Sequence, residues 1–224
     1  MIELDLAGAQ VRFTARAGGV SESPYDSLNI GALTADLPDR VASNVQIACS
    51  GLPVVQLRQV HGTSVVHAQA QSLLEHEADA AVTQQRGLAL LATTADCMPI
   101  ALATESTLAV VHAGWRGLVD GVIEAALDAL HALEPGAVPA AALGPCARAC
   151  CYEVGPEVTD QIGDRYVTNG LADLPAAAVA RMQAAGVVTV SDVGVCTMCE
   201  PDTYFSHRRS GPVTGRQGVV AWLK

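Results

Sequence analysis

Apolar residues in this chain of 224 residues fall in short runs separated by Gly, Pro, Asp and Ser. Residues 11–15, 54–61, 64–68, 87–95, 99–104, 108–113, 140–143, 187–190 and 218–223 read as strands, with Gly62 breaking the second from the third. Most are apolar throughout rather than alternating, which predicts strands covered on both faces. A helical period appears over 117–133, where Leu118, Val122, Ala126, Leu130 and Leu133 recur at spacings of three and four. Further helices are predicted over 39–50, with Pro38-Asp39 at the start, near 156–163, and over 174–185, stopped by Gly186. Residues 18–31, GGVSESPYDSLNIG, form a turn-rich loop. Adjacent strands with interspersed helices predict an α+β fold, with mixed sheet flanked by helices. Without an internal repeat, low-complexity tract or linker, the expectation is one domain over 1–224.

Composition narrows the class. Half of the residues are hydrophobic and 16% are charged, a globular balance. The formal charge is −10 and no basic stripe is visible; Arg208-Arg209 is the densest basic spot. Nucleic acid and anionic membrane are therefore not expected partners. An anionic substrate would have to meet a few local arginines. The most apolar stretch, 87–115, contains Asp96, Glu105 and His112 and is no membrane span. Residues 1–10 lack basic and apolar export regions, and the seven cysteines are an odd count. Both predict reduced thiols and a cytoplasmic location. No feature of the chain sets an oligomeric state.

Three motifs lie at ends of apolar strands: Gln59-Val60-His61-Gly62, Thr94-Ala95-Asp96-Cys97-Met98-Pro99 and His112-Ala113-Gly114-Trp115-Arg116-Gly117. Their His61, Cys97 and His112 offer two imidazoles and one thiolate, a three-ligand set that suits catalytic zinc with a fourth position open. An ion there activates water or polarises a substrate oxygen. A strand-end His is more often a satisfied polar residue, and a Cys in an apolar run a small core residue. Spacing alone is thus a weak signal.

The order of motifs says more. FTARAGGVSESPYDSLNIG from Phe13, QVHG, ADA at 78–80, TADCMPI, HAGWRG, GPCARACCYEVG from Gly144, CTMC from Cys196 and YFSHRRSGPVTGR from Tyr204 together resemble the YfiH-like family across nearly the whole chain. That family is described both as multicopper, laccase-like polyphenol oxidoreductases and as purine nucleoside phosphorylases, and is linked to editing of peptidoglycan precursors. The resemblance implies a YfiH-like fold and a zinc site on His61, Cys97 and His112. It also implies phosphorolysis of adenosine, inosine and methylthioadenosine, with adenosine deamination. The chain departs from the family at GPCARACCYEVG, where GPAIGPCCYEVG is more usual, and at ALTADLPDR, which replaces a more acidic stretch.

Given that resemblance, Arg208, Arg209, Arg16 and Arg116 are phosphate candidates, because a guanidinium fork matches phosphate oxygens; the alternative for each is a structural ion pair. Asn29 is a ribose candidate or a turn-maker. Asp96 is a base, a partner of the ligands or a residue on the opposite face; Asp79 reads as structural. Cys196-Thr197-Met198-Cys199 is a redox pair or half of a zinc site with Cys150-Cys151, and the lack of a second C-x-x-C favours structural or incidental thiols. Gly18-Gly19 lacks a phosphate-loop pattern.

Other functions remain open. A metal-free Cys97–His112 nucleophile, fifteen residues apart, is similar to the Cys-His pair of the cytotoxic necrotizing factor deamidases. Two imidazoles and a thiolate are also a blue-copper set, so copper is a second possible metal. Met98 is poorly placed as its axial ligand, and the six histidines contain no His-x-His. A non-enzymatic metal-binding module is the fallback.

Overall fold

A computed structural model of the chain describes residues 1–69 and 73–224. In chain order the elements are β1 (Ile2–Leu6), β2 (Ala9–Phe13), α1 (Pro38–Ala48), β3 (Val54–Arg58), β4 (Val65–His67), β5 (Leu73–Glu77), β6 (Ala80–Thr83), β7 (Ala89–Thr94), β8 (Met98–Ala103) and β9 (Leu108–Ala113). There follow α2 (Trp115–Asp120), α3 (Val122–Leu133), β10 (Ala140–Leu143), α4 (Pro156–Ile162), the short strands β11 (Val167–Thr168) and β12 (Leu171–Ala172), α5 (Leu174–Ala184), β13 (Thr189–Asp192), α6 (His207–Ser210) and β14 (Gln217–Leu223).

The continuous apolar runs are explained by four layers. One mixed sheet has the order β1-β2-β14-β7-β3-β5, with β3 parallel to β7 and β5. The other has the order β13-β10-β8-β9-β6-β4, with β10 parallel to β13 and β4 parallel to β6. The sheets stack face to face. In β7, Leu90 and Ala92 point into the interior between them, while Ala89 and Leu91 pack under α1. In β9, Leu108 and Val110 point inward, while Ala109, Val111 and Ala113 lie under α2, α3 and α5. With a helical layer outside each sheet, neither strand face is left for polar residues.

The α+β fold with mixed sheets and flanking helices is as the sequence predicts. The helix expected over 117–133 is two helices, because Gly121 adopts φ 98°, ending α2 and opening α3. The strand expected over 187–190 lies at 189–192, at the edge of its sheet: Val187 closes the end of α5, its N–H donating to the Met182 carbonyl, and pairing with β10 begins only at Thr189. The periodicity also passes over β1, whose Glu3 and Asp5 alternate with apolar residues, and β6, hidden in an Ala-rich run. No helix of the described residues is long and apolar enough to cross a membrane.

The topology gathers the three motifs at one end of the sandwich. The β8–β9 pairing sets Met98 opposite Ala113 and Pro99 opposite His112, so the residue before β8 and the end of β9 are neighbours. Strand β7 crosses from one sheet to the other through 95–97, and β3, parallel to β7, delivers the Gln59–Gly62 turn to the same end.

Close approach at β14 gives a test of this packing. A Cβ built on Gly218 would lie 2.0 Å from the Ala92 carbonyl oxygen. Gly218→Ala is expected to destabilise the protein by ~1–3 kcal/mol, at roughly 2–4 °C in Tm per kcal/mol for a chain of this size. Thermal unfolding followed by circular dichroism measures it, and an unchanged Tm would contradict the packing of β14 on β7.

Candidate active site

The site is organised from behind by a buried carboxylate. Asp79, just before β6, has no exposed surface. Its Oδ1 accepts from the His61 backbone N–H at 2.9 Å, and its Oδ2 from the N–H groups of Gly62 at 2.7 Å and Val60 at 3.2 Å. The Nδ1 of His112 lies 2.8 Å from Oδ1. One side chain therefore shapes the Gln59–Gly62 turn and orients the His112 ring. These bonds outweigh burial and hold the Asp79 carboxyl below the usual carboxylate range. With Asp79 accepting at Nδ1, His112 turns Nε2 away from it, toward the cleft.

His61, Cys97 and His112 meet there. Their ligand atoms all lie within 4.8 Å of one another, the Cys97 Sγ is 3.9 Å from the His61 Nε2, and the two imidazoles are edge to face at 4.8 Å between centroids. His112 is buried, Cys97 partly buried and His61 exposed, so the cluster is open on one side. Burial pushes the Cys97 thiol up, but the adjacent His112 charge and hydrogen bonds from both imidazoles dominate and hold it down to about 6. Burial disfavours charge on His112, yet the Cys97 thiolate and Asp79 raise it to about 9. Backbone shape contributes as well. His61 and Asp96 sit at φ 61° and 96°, left-handed conformations uncommon for residues with a side chain and concentrated at functional sites. A Cβ on Gly114 would lie 2.7 Å from the His61 Cδ2 and 3.3 Å from the Cys97 Sγ, so the glycine leaves room for the cluster.

The three residues line a cleft of about 320 Å³, together with Gly31–Thr34, Gln59, Thr93, His207 and Arg216. Among the described residues, Arg216 is the arginine of this cleft. Sequence reasoning passed over it, although it stands at the end of a quoted motif. Its guanidinium donates to the Thr214 and Gly215 carbonyls through Nη1, and no carboxylate of the described residues pairs with it. Burial lowers its pKa, partly offset by the negative charges of Cys97 and Asp96.

The other arginines lie elsewhere. Arg16 makes a two-pronged ion pair with Asp26 at 3.0 Å and stacks on Phe205. Arg116 is exposed and lies over Trp115. Arg208 donates to the Glu153 carbonyl at 2.7 Å and covers Tyr152, lining a separate hollow. Arg209 is spent on the carbonyls of Thr197, Met198 and Tyr204. Asn29 is buried: its amide donates to Thr34 and Asp36, and its oxygen accepts from the N–H groups of Gly31 and Arg216. It therefore fixes the loop against Arg216. The Asp96 carboxylate accepts from the hydroxyls of Thr197 and Ser206 and from the Arg208 N–H, bracing the loops behind Cys97.

The chain is a four-layer αββα sandwich with two imidazoles and a thiolate gathered at one end, open to a cleft. The family model described as multi-copper polyphenol oxidoreductase laccase matches residues 10–224, and the chain belongs to that family, the YfiH family. A purine nucleoside phosphorylase of Pseudomonas aeruginosa is 37% identical, covering 97% of this chain and 96% of its own. The purine nucleoside phosphorylase YfiH of Escherichia coli is 36% identical over 93% of this chain and 91% of its own. A Neisseria meningitidis protein of solved structure superposes with a TM-score of 0.88 at 34% identity, over 100% of this chain and 98% of its own. YlmD from Geobacillus stearothermophilus gives 0.84 at 28%, over 96% and 91%.

Asp79→Asn tests the organising role. It replaces an acceptor of four N–H groups by an amide with one acceptor atom, and is expected to cost about 3–5 kcal/mol, as for breaking a buried charged pair. Lowered Tm and a changed His112 Nδ1 proton signal in NMR are expected; a variant of native stability with that signal intact would contradict it. Gly114→Ala is expected to keep its far-UV circular dichroism and lose most activity by displacing His61.

Proposed function

We propose that this chain is a metal-dependent purine nucleoside phosphorylase that acts on adenosine, inosine and methylthioadenosine and also deaminates adenosine, with His61, Cys97 and His112 holding one zinc ion. The observation that carries the reading is the convergence of that donor set beside a cleft whose arginine lacks an acidic partner. The residues fit an ion: the donors are two nitrogens and a thiolate, the carboxylate behind His112 fixes its tautomer as in carboxylate–histidine–zinc triads, and a Cβ at Gly114 would crowd the space. When bound, the ion supplies Lewis acidity at a substrate oxygen.

The chain's own groups do the rest. Arg216 holds phosphate in a protein whose net charge of −10 otherwise repels it. Ala32 and Leu33 give an apolar wall for the flat base. Phosphate oxygen attacks the anomeric carbon, the bond from that carbon to the purine nitrogen breaks, and the purine leaves with a proton; the products are free base and ribose 1-phosphate, or its 5-methylthio counterpart from methylthioadenosine. His207, at the rim of the same cleft, is placed to give that proton. In deamination water replaces phosphate, attacks the purine carbon that bears the amine, and ammonia leaves. The seven free thiols suit a reducing compartment such as the cytoplasm.

A second reading keeps the same residues without metal. Cys97 beside His112, itself backed by Asp79, is a nucleophile–base–orienter arrangement suited to hydrolysis. Multicopper oxidation is disfavoured: among the described residues the two potential metal-binding groups contain two histidines between them, and copper in the single site is an outcome of metal analysis.

The deciding assay is product analysis of adenosine with and without phosphate. Inosine alone without phosphate, and ribose 1-phosphate with adenine and hypoxanthine once phosphate is added, support the reading; no turnover under either condition by metal-replete protein contradicts it. Cys97→Ala is expected to keep its circular dichroism and lose activity with the ion of this site; full activity would remove Cys97 from the chemistry. Arg216→Gln is expected to lower the phosphate-dependent rate about ten- to a hundred-fold at subsaturating phosphate, as for loss of a charge-assisted hydrogen bond of ~1.5–3 kcal/mol. Deamination should fall less, and Arg208→Ala should fall less than Arg216→Gln in phosphorolysis. Equal losses of both reactions in Arg216→Gln would place Arg216 on the nucleoside.

A further inference from the structure

Four thiols meet outside the cleft. Cys150 and Cys151 lie on the turn after β10, and Cys196 and Cys199 on the loop after β13. Their sulfurs all lie within 4.8 Å of one another: 3.6 Å between Cys150 and Cys151, and 3.5 Å for Cys150–Cys199, Cys151–Cys196 and Cys151–Cys199. We propose that Cys150, Cys151, Cys196 and Cys199 form a second, structural metal site that binds one zinc ion as a tetrahedral tetrathiolate.

Three features favour a single ion. A tetrahedron with Zn–S bonds of about 2.3 Å sets its sulfurs ~3.8 Å apart, close to the spacing found. Disulfides would pair the sulfurs off at about 2.05 Å, whereas Cys151 is equally near Cys196 and Cys199. An iron–sulfur cluster binds each thiolate to an iron of its own or shares an iron between two, which spreads the four sulfurs further than these are.

The backbone brings the two segments together by itself. Cys146 donates to the Val195 carbonyl and Thr197 to the Cys146 carbonyl, joining the strands' continuations side by side. The N–H groups of Cys151 and Tyr152 both donate to the Arg148 carbonyl, a tight turn that aims neighbouring cysteines at one point. Arg148 pairs with Asp192 across the same two segments, with an Nη1–Oδ1 distance of 2.9 Å. With all four positions filled by protein the site is closed, so its role is structural.

The site also has a place in the architecture of the cleft. The Thr197 and Met198 carbonyls, between the second pair of cysteines, accept from Arg209, and the Thr197 hydroxyl donates to Asp96, the neighbour of Cys97. An ion at the four thiols fixes the loop that braces the wall behind the cluster.

The test uses the full chain carrying Cys97→Ser, purified in reductant without chelator, so that metal at the cleft does not obscure the count. One zinc per chain by elemental analysis, with four sulfurs at about 2.3 Å in zinc X-ray absorption, is expected; the wild type should hold two. A Cys97→Ser chain that binds no zinc even after dialysis against zinc salt, a mixed nitrogen–sulfur shell, or an intact mass showing two disulfides would overturn the proposal. If the cleft cluster binds nothing, wild type and variant each hold one zinc with the same four-sulfur shell, so failure of the two sites is distinguishable. Cobalt substitution gives a second readout: thiolate-to-cobalt charge-transfer absorption should persist in Cys97→Ser and vanish when Cys196→Ser and Cys199→Ser are added to that Cys97→Ser chain. Its persistence in the latter, with native circular dichroism, would also overturn the assignment.

Discussion

The carboxylate of Asp79 is the constraint on which the site depends. A buried charge is tolerated only when its oxygens are filled with donors. Asp79 is filled by the amides of Val60, His61 and Gly62 and by the His112 ring. Satisfying that charge and shaping the site are thus one event: the turn that carries His61 closes on the same oxygens that orient His112. The His112 N–H in turn donates to the Asp79 carbonyl, so the carboxylate is held in register with β9. The remaining member, Cys97, arrives by the β8–β9 pairing, which sets Pro99 opposite His112.

Around this core, two loops divide the polar work. Residues 18–31, with Asn29 buried at their end, cradle Arg216: its N–H donates to the Asn29 side chain, and Gly31 lies so close that a Cβ would meet the Arg216 Cγ at 2.6 Å. The loop over 196–208 is braced by Asp96 on one side and by Arg209 on the other. Arg16, Arg208 and Arg209 are held by protein groups away from the cleft, whereas Arg216 bonds two carbonyls of its own turn and faces the cleft with no carboxylate beside it among the described residues. In an acidic chain that selection is also an electrostatic one, since a lone guanidinium in a partly buried cleft is the place where an anion is least repelled.

Much of this was legible in the sequence. Strands β9 and β10 fall where the apolar runs predict them, because those runs begin and end at polar or turn residues. The His61, Cys97 and His112 grouping came from motifs at strand ends, where period-two structure hands side chains to the turn. What periodicity could not supply was partnership. Arg16, Arg208 and Arg216 look alike as letters; their roles differ because Asp26, the Glu153 carbonyl and an open cleft stand beside them respectively. Asp79 read as structural, and its bond to His112 joins residues 33 apart. The four cysteines lacked a paired C-x-x-C pattern because two of them are adjacent in a tight turn closed by backbone bonds to the Arg148 carbonyl, and that turn meets the 196–199 loop only in the fold.

The central claim is that a single ion sits among His61, Cys97 and His112, with Asp79 behind it. Anomalous diffraction at the zinc edge from crystals of the purified protein addresses it most directly. The expected result is a peak within about 2.0–2.1 Å of the Nε2 atoms of His61 and His112 and about 2.3 Å of the Cys97 Sγ, with His112 Nδ1 still on Asp79. Clear density for all three side chains with no anomalous peak between them, in crystals grown with zinc in excess, would contradict it.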